Sequence, residues 1–305
     1  MCRECRMTKL FISICLTLLL LGPAFDSGIT NAAVSAAPMT TAAKQLQIQI
    51  PSAPGGRVHK NNEAVIDYTN IADGYIMVKY LKQTSQALRV LITAPNSIVY
   101  TYPLDPTMEF EVLPLSEGNG VYKVVIYKQS VMQTQSNTYS LILSLNVDVR
   151  LNNEFAPFLG PNRIVNFNKN SLFLDKTAEF AKLNNNRAAI DAINRFIVKN
   201  MKYEKKQTAD KDSWYIPSLD HTYKELTGMC IDYATLMVAM ARSLGIPAKL
   251  ITGYTREECH AWVEVYLEPT GWERWDPTVE SISRVKRNTQ QLINDDKNYI
   301  QMFQY

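Results

Sequence analysis

The hydrophobic pattern along the chain changes character four times. Residues 10–21 are an almost unbroken apolar run. From 63 to 151 short β-branched and aromatic segments alternate with polar positions and are divided by turn residues. After residue 175 apolar positions recur at three and four residues, as on one face of a helix. From 248 to 275 the period returns to two, the period of a half-buried strand.

In the first strand-rich region the spacing predicts strands over 64–69, 74–81, 88–93, 97–102, 109–113, 121–128 and 138–149. Alternation is plainest in Val121-Tyr122-Lys123-Val124-Val125-Ile126-Tyr127. Ala72-Asp73-Gly74, Ala94-Pro95-Asn96 and Glu117-Gly118-Asn119-Gly120 supply the turns. About seven short strands at this spacing favour an antiparallel, immunoglobulin-like β-sandwich over residues 63–151. Ahead of it, residues 38–62 hold Pro38, Pro51, Pro54 and Gly55-Gly56 and read as a linker with one short strand at 46–50. The tyrosines of the sandwich invite a carbohydrate-binding or wall-binding role, but at strand spacing they are expected to be core or rim residues.

Residues 152–175, with Pro157 and Gly160-Pro161, read as a second linker. Asp175 or Thr177 can cap the helical stretch that follows. Ala189, Ile193, Phe196 and Ile197 form its apolar face, and Asn184 to Asn186 break it into two helices. A further helix runs from a cap at Thr227 or Gly228 to about Leu244 and is apolar on most sides, as a buried helix is; Gly245 and Pro247 stop it. Strands at 248–254, 260–267 and 272–275 complete the region, so the whole is α+β.

The apolar run at 10–21 follows Arg3, Arg6 and Lys9 and precedes small residues around Ala32, Ser35 and Ala37. It is about a dozen residues long, short of the roughly 20 that span a bilayer as a helix. Residues 1–37 are therefore expected to be a signal peptide and the protein to be secreted or extracytoplasmic, in the cell envelope. Membrane contact is expected only through that segment, if it is retained. Lys and Arg number 32 against 29 Asp and Glu, so no strong field draws nucleic acid, and no nucleic-acid partner is expected.

Of the five cysteines, three fall within residues 1–37, which leaves Cys230 and Cys259. Two cysteines are no disulfide framework, and these two form no C-x-x-C between them, so neither a zinc site nor any cofactor is expected. Cys230 stands at the start of the buried helix, the one place from which such a helix can present a side chain to a cleft. Helix N-terminal amides favour negative charge, which suits a thiol nucleophile. A thiol nucleophile needs a base, and the base needs a third group to orient it. Of three histidines, His59 stands alone beside the glycine pair of the linker and is expected to be a solvated side chain, and His221 lies in a polar loop. His260 opens an amphipathic strand on which His260, Trp262, Glu264 and Tyr266 share a face and Ala261, Val263, Val265 and Leu267 share the other. Cys259 would point away from His260, so a disulfide with Cys230 is not expected. Asp276 ends the next strand, within reach of His260 if the strands pair; it also reads as a turn residue before Pro277. The backbone N–H of Cys230 is one donor for an oxyanion, and Trp214 and Tyr215 are candidates for a second, each also readable as a core aromatic.

The stretches Gly228-Met229-Cys230-Ile231-Asp232-Tyr233-Ala234, Arg242-Ser243-Leu244-Gly245-Ile246-Pro247-Ala248, Gly253-Tyr254, His260-Ala261-Trp262-Val263-Glu264-Val265 and Trp275-Asp276-Pro277-Thr278 resemble the transglutaminase-like superfamily in order and spacing. Met229 departs from the small or β-branched residue common at that place. The resemblance implies a papain-related α+β domain, here residues 176–305, with Cys230, His260 and Asp276 as its catalytic triad. It implies an exported cysteine acyltransferase or hydrolase acting on protein or peptide amides, cell-wall or envelope peptides among them, through a thioester on Cys230. A reading of another class is a non-catalytic envelope or cell-wall binding protein that keeps the domain as a scaffold; the intact Cys230, His260 and Asp276 set argues against it.

Overall fold

The computed structural model describes residues 45–130, 138–204, 215–255, 258–286 and 298–305. Residues 1–37, read as a signal peptide, and Trp214 lie outside the described residues. Residues 43–305 form one compact unit.

The strand-rich region forms two four-stranded antiparallel sheets. One contains Val58–Lys60 (β1), Ala64–Asp67 (β2), Tyr75–Tyr80 (β3) and Glu111–Pro114 (β6), in the order β1-β2-β3-β6. The other contains Leu88–Thr93 (β4), Val99–Leu104 (β5), Gly120–Gln129 (β7) and Tyr139–Val149 (β8), in the order β5-β4-β7-β8. Alternate residues of both sheets, among them Ile66, Ile76, Val78, Val90, Ile92, Val124 and Ile126, are fully or almost fully buried in one cluster. Each such side chain contributes roughly 1.5–3 kcal/mol by leaving water. Tyr80, Tyr100, Tyr102 and Tyr122 are buried with them, as strand spacing predicts.

Two readings of the N-terminal stretch differ from the structure. Residues 46–50 form no strand; Gln47 instead donates its N–H to the Ser243 carbonyl, and Leu46 and Ile48 pack on the core. β1 lies in the stretch read as linker, and it makes His59 a half-buried strand residue opposite Ile66 and not a solvated loop side chain.

The second half begins with helices Leu174–Phe180 (α1) and Asn186–Asn200 (α2). The break between them falls at the asparagines, because the Asn185 side chain accepts the Ala188 N–H and caps α2. Asp175 and Thr177 do not cap α1; it starts at Leu174, and the Thr177 hydroxyl donates to the Phe173 carbonyl within the helix. Lys202–Tyr203 (β9) pairs in parallel with Thr227–Gly228 (β10), on either side of Leu219–Glu225 (α3), so His221 sits exposed on a helix and not in a loop.

Helix Cys230–Ser243 (α4) follows, buried from Ile231 to its last residue. It packs against the sheet formed by Ala248–Thr255 (β11), Glu258–Leu267 (β12), Gly271–Trp275 (β13) and Tyr299–Gln304 (β14), in the order β13-β12-β11-β14, and against α2, α3 and Pro277–Lys286 (α5). Ala261, Val263, Val265 and Leu267 are buried, as the alternation of β12 predicts, and Trp262 on the other face is buried as well. β12 begins two residues earlier than its alternation suggests, so Cys259 is inside the strand, on the face opposite His260. Neither Cys230 nor Cys259 is in a disulfide. Among the described residues no helix is long and apolar enough to cross a membrane.

Candidate active site

Cys230 is the first residue of α4, where the leading N–H groups have no partner inside the helix. Neither Thr227 nor Gly228 is the cap. Met229 takes the N-cap position, and the work of capping falls to Asp232, whose Oδ2 accepts the Met229 N–H at 2.8 Å. Asp232 is fully buried, and its Oδ1 accepts the hydroxyls of Tyr215 at 2.5 Å and Thr222 at 3.2 Å. Gly228 makes room for this carboxylate: a Cβ there would lie 2.5 Å from the Asp232 Cβ and 2.7 Å from its Oδ2. The stretch around the cysteine is thus built inward, with an acidic side chain holding the first turn from below while Cys230 stays half-buried at its mouth.

His260 comes to that mouth from the start of β12, opposite Gly253 of β11. Its Nε2–H donates to Asp276 Oδ2 at 2.7 Å, which leaves Nδ1 as the ring nitrogen for Cys230. Burial alone would lower the basicity of His260, but the hydrogen bonds to Asp276 and to Cys230 outweigh it and push the pKa up to about 10. The imidazole is held ready to carry a proton.

Asp276 is both of the things its sequence context suggests. It precedes Pro277, the first residue of α5; its Oδ1 accepts the Val279 N–H at 3.0 Å and its carbonyl accepts the Glu280 N–H. An Asp cap followed by Pro at the first helical position is a standard helix start, and it places a carboxylate at the positive end of a helix. The pairing of β13 with β12, Val263 opposite Trp275, then sets that capped carboxylate beside His260. Asp276 is buried, at 3% exposure, so its charge is directed to the histidine and not to water.

Of the residues singled out in the sequence, the structure brings Cys230, His260 and Asp276 together. It places Tyr215 one layer behind, with its hydroxyl given to Asp232. Trp214 lies outside the described residues. Three further side chains border the group. Tyr203 of β9 stands close enough to Cys230 and Glu258 for their charges, after burial, to raise its pKa. Trp262 stacks beside His260 with ring centroids 6.3 Å apart. Tyr299 of β14 donates its hydroxyl to Asp276 Oδ2 at 2.8 Å. Asp232 could have been found in the sequence as the lone acid in an apolar helix; Tyr299 has no local signal. Among the described residues no cluster of three or more His, Cys, Asp or Glu side chains could hold a metal ion.

A family model described as the transglutaminase-like superfamily matches residues 175–277, the span from α1 to the first residue of α5. Over this span the chain is similar to the transglutaminase-like superfamily. Over 96 residues it is 29% identical to a protein-glutamine gamma-glutamyltransferase of Pseudomonas aeruginosa, and over 95 residues 30% identical to the uncharacterized protein YebA of Bacillus subtilis. These matches cover 27% and 23% of this chain but only 14% and 13% of those proteins, so the chain spans about a seventh of the length of the curated relatives it matches. Among solved structures, a candidate cysteine protease from Cytophaga hutchinsonii aligns over 76% of this chain and 83% of its own, at 19% identity and a TM-score of 0.41. The periplasmic domain of TgpA from Pseudomonas aeruginosa aligns over 68% of this chain and 94% of its own, at 18% identity and a TM-score of 0.33.

Proposed function

We propose that the protein is an exported cysteine acyltransferase or hydrolase in which Cys230, His260 and Asp276 form a catalytic triad acting on protein or peptide amides. The observation that carries this reading is the directed pair at His260: one ring nitrogen donates to a buried carboxylate and the other is left for the Cys230 thiol at the start of α4. Cys230 Sγ attacks the carboxamide carbon while its proton passes to His260. The backbone N–H of Cys230 faces the developing oxyanion, as the first amide of a helix. The tetrahedral intermediate collapses with loss of ammonia or an amine, which leaves protonated by His260, and a thioester remains on Cys230. A second amine, or water, gives its proton to His260, attacks the thioester and restores the thiol. An amine yields an isopeptide cross-link; water yields hydrolysis. Asp276 orients His260 and stabilises its charged form.

The raised basicity of His260 supports its role as the group that takes up the thiol's proton. The N-terminal apolar run supports export to the envelope, where wall or envelope peptides would be the amide substrates. The reading is tested with a glutamine peptide offered with and without a primary amine, the products weighed by mass spectrometry. Amine incorporation or deamidation, lost in Cys230→Ala together with rapid iodoacetamide labelling, is the expected result. Activity that persists in Cys230→Ala, with labelling as fast as in the parent, would overturn it.

A further inference from the structure

We propose that Tyr299 is a positioning residue of this site, laid across the sheet by the C-terminal strand β14 to fix the Asp276 carboxylate against His260. The inference rests on the reading of Cys230, His260 and Asp276 as a triad. Asp276 Oδ2 accepts two hydrogen bonds, from His260 Nε2 at 2.7 Å and from the Tyr299 hydroxyl at 2.8 Å, while Oδ1 accepts the Val279 N–H at 3.0 Å. A carboxylate held by one donor on each oxygen can still rock about its bond to Cβ. A second donor on Oδ2, arriving from another element, removes that freedom and sets the direction in which His260 is held. Burial, with the charge of Asp276 next, raises the pKa of Tyr299, so its hydroxyl keeps the proton that it donates.

The ring of Tyr299 is itself clamped. It meets Trp262 edge-on with centroids 5.1 Å apart, lies 6.3 Å from the His260 ring and carries the Arg274 guanidinium 4.0 Å from its centroid. The strand that bears it is seated by a glycine. β14 pairs with β11 from Thr255 opposite Tyr299 onward, and the register shifts at Thr252 and Gly253. A Cβ on Gly253 would run into the Ile300 carbonyl, so only glycine lets the strand come this close beside Tyr299.

The other end of β14 is pinned in the sandwich and under α4. Gln304 donates its N–H to the Tyr100 hydroxyl at 3.3 Å and its side-chain amide to the Ser116 carbonyl at 2.9 Å. Phe303 and Tyr305 pack edge-on against Tyr100. The buried Arg242 donates to the Tyr305 carbonyl at 2.6 Å. The sandwich therefore reaches the site through this strand, and positioning Asp276 gives the N-terminal half a part in the chemistry.

The test is the rate of Cys230 alkylation by iodoacetamide at neutral pH in the whole protein, which needs no knowledge of the substrate. Tyr299→Phe is expected to slow it roughly ten- to a hundredfold, as loss of a hydrogen bond to a charged group would. Ile300→Ala, an exposed neighbour on the same strand, is expected to leave the rate unchanged and the thermal transition in place. In an Asp276→Ala background, Tyr299→Phe should add no further loss, since the group it positions is gone. A parent rate in Tyr299→Phe, or the same slowing with and without Asp276, overturns the proposal while the effect of His260→Ala in the parent still upholds the triad. If His260→Ala leaves the parent rate unaltered, the triad reading fails and Tyr299 has nothing to position.

Discussion

The two halves of the molecule bury apolar side chains equally well but treat polar ones differently. Among the described residues, the buried polar or charged side chains of the sandwich are Asp67 and Ser116; the part after residue 151 holds thirteen, including Asp232, Arg242, Asn194, Thr235 and Asp276. Asp67 does a turn residue's work, accepting the Gly55 and Thr69 N–H groups. In the second half the buried polar groups knit elements together. Burying such groups is unfavourable unless each is hydrogen-bonded, and a half-satisfied network is worse than an apolar core. The sandwich is therefore stabilised mainly by its apolar layers, whereas the second half accepts a costly polar framework around α4 that fixes Cys230 at one end and Arg242 at the other.

The largest effect expected from this contrast is at Arg242. It is fully buried and faces no carboxylate in any ion pair among the described residues; burial lowers its pKa, while the carbonyls of Ala248, Gly160 and Tyr305 accept its N–H groups at 2.9, 2.7 and 2.6 Å. Arg242→Met keeps the bulk and leaves those carbonyls short of donors, at about 1 kcal/mol or more each. Urea unfolding should show a loss of roughly 2–4 kcal/mol. A neutral result would mean that the polar framework is not what holds the second half.

An effect smaller for each pH unit should follow pH. The folded pKa of His260, near 10, lies above the ordinary value of 6.5, so its contribution is present in full below about pH 6.5 and is lost as pH rises through about 10. Across that window the stability of the parent should fall relative to His260→Gln by no more than about 1.4 kcal/mol per pH unit, the limit for one proton. A difference that grows with pH would reverse the assignment of the proton to the histidine. The smallest effect belongs to the outer face of the sandwich. Leu141 is 60% exposed on β8, and Leu141→Ser should change stability by no more than about 0.5 kcal/mol and leave Cys230 alkylation untouched.

Much of the architecture is legible in the sequence. Strands β2 to β8 fall where alternation and turn residues put them, because a period of two and a Gly, Pro or Asn separator are local signals. The break between α1 and α2 was legible for the same reason, since Asn185 caps within its own turn. The misplacements are also local in origin. Thr227 and Gly228 look like caps, yet their residues pair with β9 instead, and Asp232 reaches back to do the capping from three residues inside the helix. The run at 46–50 has the apolar content of a strand but no neighbouring edge to join, and it lies against the end of α4.

By itself the sequence determined the α+β class, the cysteine at the mouth of a buried helix, the histidine near the start of a strand and the aspartate just past the next one. Those features depend on residues within a few turns or one hairpin of each other. Tertiary structure decided what surrounds them. Tyr299 reaches Asp276 from 23 positions away, Arg242 reaches Gly160 from 82 and Gln304 reaches Tyr100 from 204. A hydrogen bond of a few ångströms between residues so far apart leaves no periodic trace in the chain, because its geometry exists only once the sheet has closed around α4 and β14 has slid in beside Gly253.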